Sequence, residues 1–206
     1  MDRVSRFLTA VITLLLCLML PQPSATAGQG AEIKIGTEGT YRPISFFTSG
    51  GELTGFDVEL TLAICERAGL NCVMVTMDND GMVPALNEKK IDAIASGMTI
   101  TAKRKKTLAF TDQIRSSGKH FVTCAADKFP DTSPEALKGR TIGTQTGTTS
   151  ADYFQALYAG SDIRLYKTMD EAFQDLAADR LDLVLSQEVP AYDFAASPAG
   201  SRSCCR

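Results

Sequence analysis

Two stretches of this 206-residue chain carry groups suited to holding a small anion. The first, Ser96-Gly97-Met98-Thr99-Ile100-Thr101, leads to Arg104. The pattern predicts a strand ending near Ser96 and a helix capped by Thr101, because a threonine hydroxyl accepts from the free N–H groups of a first helical turn. Arg104 then stands in that turn, where a cation opposes the helix dipole. A bidentate grip on a carboxylate, assisted by free backbone N–H groups, gives an arginine there a purpose. The competing account is a solvated basic face, and it suits Lys103, Lys105 and Lys106 better than Arg104. The second stretch, Thr146-Gly147-Thr148-Thr149-Ser150, opens a helix ending near Ala159 and offers another anion-binding terminus. Alone, it reads equally as a strand-to-helix turn with a Ser/Thr cap. Both stretches follow strands at their carboxyl ends, where open α/β sheets take ligands.

Catalytic groups are scarce. His120 is the only histidine, next to an expected hinge and without an evident partner. No Gly-x-Ser-x-Gly elbow, Walker A loop or His-x-x-x-His pair occurs. Reversible binding, with no catalytic residue, cofactor or metal, is the expected chemistry.

The elements that must position these groups alternate. Alternating apolar residues over 32–37 predict a strand, and Phe56, Leu60, Ala63 and Ile64 recur at helical spacing until Gly69 closes the helix. A strand over 72–76, a short helix over 84–88 and a strand over 91–96 follow. This order implies βαβ units and a mostly parallel sheet. Residues 85–96 are echoed 90 positions later, with Leu176, Arg180, Leu181, Asp182, Val184 and Ser186 at the matching places. Residues 35–40 are echoed more loosely by 142–148. Two echoes in the same order point to two related α/β lobes. We expect lobe 1 over 28–116 and lobe 2 over 117–194, with a hinge at 115–119 whose small residues absorb backbone rotation. Residues 195–206 have no periodicity and read as an irregular, disordered tail.

The first residues set the compartment. Arg3 and Arg6 precede an apolar run over 7–20, then Pro21, then the small-x-small site Ala25-Thr26-Ala27. This is a secretory signal peptide, residues 1–27. The 14 residues of this run fall short of the ~20 that span a bilayer. Cleavage removes two basic residues and one acidic one, moving the net charge from −3 to −4. A mildly acidic chain gives no electrostatic case for nucleic acid. In an oxidising compartment Cys65 and Cys72, seven positions apart across a helix end, read as a disulfide. The alternative, two buried free thiols, fits a cytosolic protein better.

Four segments together resemble the family 3 bacterial extracellular solute-binding proteins. They are Ile-Gly-Thr-Glu-Gly-Thr-Tyr-x-Pro (35–43), Gly-Phe-Asp-Val-Glu-Leu (55–60), Pro-Ala-Leu-Asn-Glu-Lys-Lys-Ile-Asp-Ala-Ile (84–94) and Ser-Gly-Met-Thr-Ile-Thr-Ala-Lys-Arg (96–104). The likeness is to the lysine/arginine/ornithine-, histidine- and opine-binding periplasmic members. It implies an α/β, two-lobed type II periplasmic-binding-protein fold and a monomeric receptor that delivers an amino acid or opine to an ABC importer's membrane permease. By the same resemblance, Tyr41 stacks on the ligand side chain and Glu38 meets its distal polar or cationic head. Ser96, Gly97 and Thr99 hold the α-amino and carboxylate groups, Arg104 clamps the carboxylate, and Thr148 and Thr149 assist from lobe 2. Cys65 and Cys72 match the disulfide of the basic amino-acid binders. Two features depart from the pattern. Gln187 stands where those binders place an aspartate on the α-ammonium. The chain also lacks the segment that returns from lobe 2 to lobe 1, so lobe 2 and that return read as truncated, with residues 195–206 a frameshifted ending. A periplasmic cyclohexadienyl- or arogenate-type dehydratase on the same fold is the alternative from another class, with Glu38 as its one acidic candidate.

Overall fold

The computed structural model describes residues 30–124 and 129–203. The expected signal peptide and the cysteines at 204 and 205 lie outside the described residues.

Strand β1 (Ile33–Thr37) leads into a small antiparallel meander of β2 (Thr40–Tyr41), β3 (Ser45–Phe47) and β4 (Leu53–Thr54). Helix α1 (Phe56–Ala68) has Asp57 and Glu59 in its first turn and Arg67 in its last, the arrangement that complements the helix dipole. Gly69 ends it at φ 66°, and the N–H groups of Gly69 and Leu70 turn back onto the Glu66 and Cys65 carbonyls. Strand β5 (Cys72–Thr76), helix α2 (Asn79–Asn87) and strand β6 (Ala93–Ile94) complete a parallel sheet ordered β5-β1-β6. Cys65 and Cys72 are bridged, with Cα atoms 6.1 Å apart, tying α1 to β5.

An extended passage then reaches β7 (Lys119–Val122), followed by β8 (Thr141–Gln145), α3 (Thr149–Leu157), β9 (Asp162–Tyr166), α4 (Met169–Ala177) and β10 (Leu183–Gln187). The sheet order is β7-β10-β8-β9, with only β7 antiparallel. Its two faces are covered separately. Leu183, Leu185 and Ile142 pack with Phe154 of α3 and Tyr158 at its end, while Val184 packs with Ala172, Phe173 and Leu176 of α4. A capping box starts α4: the Thr168 hydroxyl accepts from the Glu171 N–H and the Glu171 carboxylate accepts from the Thr168 N–H.

The internal echo is structural. Gly36 and Gly143 hold matching places in β1 and β8, and a Cβ on either would lie 2.5 Å from Ile91 Cδ1 or Leu181 Cδ1 respectively. Asp92 accepts from the Lys34 N–H at 2.8 Å, and Asp182 from the Thr141 N–H at 2.7 Å. Lys89 and Asp179, the residues two before Ile91 and Leu181, both take positive φ, at 59° and 57°. The same α-to-β turn is built twice.

Three expectations need correction. Strand β6 is shorter than 91–96: its register with β1 covers only Ile35 and Gly36, while Asp92 just before it bonds Lys34 twice, donating its N–H to the Lys34 carbonyl and accepting the Lys34 N–H on its side chain. The helix expected after Thr101 is one 3₁₀ turn, Arg104–Lys106. Its cap forms, with the Arg104 N–H donating to Thr101 Oγ1 at 3.1 Å, but the turn buries no residue that could sustain a longer helix. The tail expected to be irregular carries two helices, the end of α5 (Glu188–Ala196) and α6 (Pro198–Ser203). Ser197 separates them and caps the second, its hydroxyl accepting from the Gly200 N–H at 3.1 Å.

From Ala31 onward the described residues belong to one compact unit. Tyr41 and Ile44, from the first half, share a core with Met169, Phe173 and Phe194 of the second.

Candidate interlobe binding cleft

The site lies between the carboxyl ends of β1 and β8. The echoed loops there place Glu38 and Gln145 opposite each other, and the Gln145 amide donates to the Glu38 carboxylate at 2.5 Å. Glu38 is only 3% exposed. Burial pushes its carboxyl up to about 7, reinforced by Asp78, Asp170 and Asp80, while the Gln145 bond pulls it back in part. The Glu38 N–H donates to Ser96 Oγ at 3.1 Å. Glu38 is therefore fixed by both halves of the chain.

Arg104 crosses the cleft from the other end. Its guanidinium donates to the Thr99 carbonyl at 2.9 Å and to the Gly147 carbonyl at 3.0 Å. Those bonds use two of five N–H donors. Beside it α3 begins, where Thr148 Oγ1 accepts from the Ala151 N–H at 3.2 Å and donates to the Gln145 carbonyl at 2.7 Å. The early N–H groups of α3 and the arginine fork thus converge on one region. Gln187, at the end of β10, donates through Nε2 to the Gly97 carbonyl at 3.0 Å and to Thr99 Oγ1 at 3.3 Å. Its Oε1 is buried and has no partner.

Glu38, Tyr41, Ser96, Thr99, Arg104, Thr148, Thr149 and Gln187 all line this one cleft. Gly97 does not. It serves behind the cleft at φ 61°, with its N–H donating to the Asp57 carboxylate at 2.5 Å. A side chain there would strike the Arg115 guanidinium, 2.9 Å from the Cβ position. Tyr41 reaches the cleft with little of its ring, being 6% exposed and packed in the shared core. Sequence reasoning missed Asn79, Ser150 and Met169, which also line the cleft, and Gln145. Of these, Gln145 had a legible signal as the counterpart of Glu38 in the loose echo, and Ser150 closes the Thr-rich stretch read as an anion-binding terminus.

The halves are drawn together. Asn79 donates to the Thr146 carbonyl at 3.0 Å, Lys103 meets Asp152 at 3.1 Å and Lys167 meets Asp78 at 3.6 Å. The enclosed space is about 30 Å³, far below the ~300 Å³ at which small-molecule pockets begin. A larger cavity, about 350 Å³, lies elsewhere, against α4, α5 and Arg42. It is mostly apolar, and of the residues singled out from sequence only Tyr41 reaches it.

Two sheets of related build, closing converging polar groups between them, define a two-lobed binding protein of the type II periplasmic class. Residues 33–187 match the bacterial extracellular solute-binding proteins, family 3, and the chain belongs to that family. It is 38% identical over 197 residues to the histidine-binding periplasmic protein of Escherichia coli strain K12, covering 92% of this chain and 75% of that protein. Over 180 residues it is 35% identical to the lysine/arginine/ornithine-binding periplasmic protein of the same strain, covering 86% and 69%. Among solved structures, an ancestral arginine-binding protein bound to arginine is similar at TM-score 0.78 and 34% identity, covering 84% of this chain and 77% of that one.

Proposed function

We propose that this chain is the periplasmic receptor of an ABC importer, acting as a monomer with lobes over 28–116 and 117–194 that close on a basic amino acid or an opine. The observation that carries the reading is the polarity of the cleft. A buried carboxyl, Glu38, stands at one end, while Arg104 and the start of α3 stand at the other. A ligand with a carboxylate at one end and a cationic or hydrogen-bonding head at the other matches that polarity. In this reading Arg104 takes the carboxylate in a bidentate fork, Thr148, Thr149 and the α3 N–H groups complete its shell, and Glu38 receives the distal head. The closed lobes then present one surface to the permease. The tie of Gly97 to Gln187 suits a backbone role in shaping the nitrogen site.

A thermal-shift screen against the common amino acids and opines tests this, since a ligand stabilises the folded form by mass action. Arginine, lysine, ornithine, histidine or an opine should raise the melting temperature. A response confined to glutamate and aspartate would overturn the assigned polarity.

One observation favours a second reading, a dehydratase. Glu38, raised to about 7, has the tuning of a general acid. Incubation with prephenate and arogenate separates the two readings, and absence of phenylpyruvate and phenylalanine removes the second.

A further inference from the structure

The apolar cavity of about 350 Å³ between α4, α5 and α6 is above the ~300 Å³ at which small-molecule pockets begin. Tyr41 and Met169 line both this space and the interlobe cleft, and so form the partition between them. Phe173 of α4 and Phe194 of α5 also line it, and their rings stack with centroids 4.3 Å apart and planes 2° from parallel. A stacked aromatic pair held by two helices makes a rigid apolar wall, suited to the flat body of a ligand.

The charges on the same cavity are two carboxylates, Asp170 and Asp193, and one guanidinium, Arg42. Arg42 is engaged elsewhere: its guanidinium stands 4.0 Å over the Phe46 ring and donates to the Phe47 carbonyl at 3.3 Å. Among the described residues, neither the Asp170 nor the Asp193 carboxylate takes part in a hydrogen bond or an ion pair. Burial holds the Asp170 carboxyl above the usual range; Arg42 offsets part of this and Asp193 adds to it. The helix dipole gives Asp170 a purpose in the first turn of α4, but not Asp193, well inside α5. A bound cation would relieve the repulsion between the two carboxylates and supply the charge-assisted bonds they lack. An anion would meet that repulsion, and a neutral molecule would leave it in place.

We propose that this cavity is a second binding site, separate from the interlobe cleft, which takes small aromatic amines. The receptor reading above does not depend on it.

Tryptamine, tryptophol and indole-3-propionate share one flat body and differ in the charge of the head. The chain has no tryptophan, so indole fluorescence anisotropy reports the ligand alone as protein is titrated in. Tryptamine should bind roughly tenfold more tightly than the other two, the scale of one charge-assisted bond. Asp170→Asn with Asp193→Asn should bring tryptamine to within about threefold of tryptophol. Asp193→Asn alone, at an exposed position, should remove part of the preference without disturbing packing. Ala177→Leu, which extends a lining side chain, should weaken all three ligands. Circular dichroism confirms that each variant is folded. Tryptophol binding as tightly as tryptamine, or a preference for tryptamine that survives both asparagine substitutions, would overturn the inference. So would a folded wild-type protein that does not bind tryptamine.

Discussion

Arg104→Ala is the most direct test of the cleft. In the closed form the arginine gives two hydrogen bonds, to Thr99 of lobe 1 and Gly147 of lobe 2, so it links the lobes before any ligand contributes. The Gly147 bond alone stabilises closure by about 1 kcal/mol. A ligand carboxylate adds charge-assisted bonds, and removing one partner of a buried charged pair costs ~2–5 kcal/mol. Together these give a loss of about 3–6 kcal/mol, or roughly a hundredfold to ten-thousandfold in Kd. Titration calorimetry with the best ligand from the screen measures it. Arg104→Lys keeps the charge but loses the planar fork, and should fall between wild type and alanine. Lys105→Ala and Lys106→Ala, which replace exposed lysines, serve as controls and should change Kd less than twofold. An Arg104→Ala Kd within about threefold of wild type corresponds to less than 1 kcal/mol and refutes the carboxylate assignment.

The other predictions concern pH, the disulfide and packing. Burial pushes Glu38 from its ordinary 4.5 up to about 7, so the folded protein holds this proton more tightly than the unfolded chain. Its contribution therefore favours folding below pH 4.5 and is lost as pH rises through 7, a span of about 3 kcal/mol. Melting curves over that range should show the decline in wild type and a flatter profile in Glu38→Gln, and parallel profiles would show that Glu38 does not titrate there. A cationic head facing Glu38 favours its ionised form, so affinity for arginine should rise with pH up to about 7; a flat profile by calorimetry removes that contact. Replacing both Cys65 and Cys72 by serine should cost ~2–3 kcal/mol by the chain-entropy estimate, read from urea midpoints, and an unchanged midpoint contradicts a stabilising bridge. Gly143→Ala places a methyl group 2.5 Å from Leu181 Cδ1 and 3.2 Å from Tyr166 Cε2. It should cost ~1–3 kcal/mol through overpacking, and a neutral result in thermal melts means that Leu181 has room to move.

Local chemistry made part of this molecule readable in advance. Gly69 stops α1 because a positive φ suits a residue without a Cβ, and β5 falls over 72–76 as its β-branched pattern implies. Thr101 and Thr148 cap the turns expected of them. The repeated Leu/Ile-Asp starts of β6 and β10 meet the same glycine-bearing partners, Gly36 and Gly143. The resemblance that named the family also rested on contiguous motifs. The helix stop, the strand, the caps and each separate motif lie within a dozen residues, where sequence spacing and spatial distance are nearly the same thing, and the Ile/Leu-Asp pattern was legible because it is written twice.

The cleft itself was settled at longer range. Glu38 and Gln145 are 107 positions apart, and Gln187 and Gly97 are 90 apart. No local propensity states that the Gln145 amide will meet the Glu38 carboxyl, or that Gly97 will serve behind the cleft rather than within it. Sequence supplied the polar groups, the elements bearing them and the twofold plan. The packing of Tyr41 and Ile44 against α4 drew the two sheets together, and burial then changed the chemistry of what lay between them. A carboxyl that water would keep ionised at neutral pH has a pKa near 7 once desolvated. Desolvation depends on which surfaces meet, and that is a property of the folded chain alone.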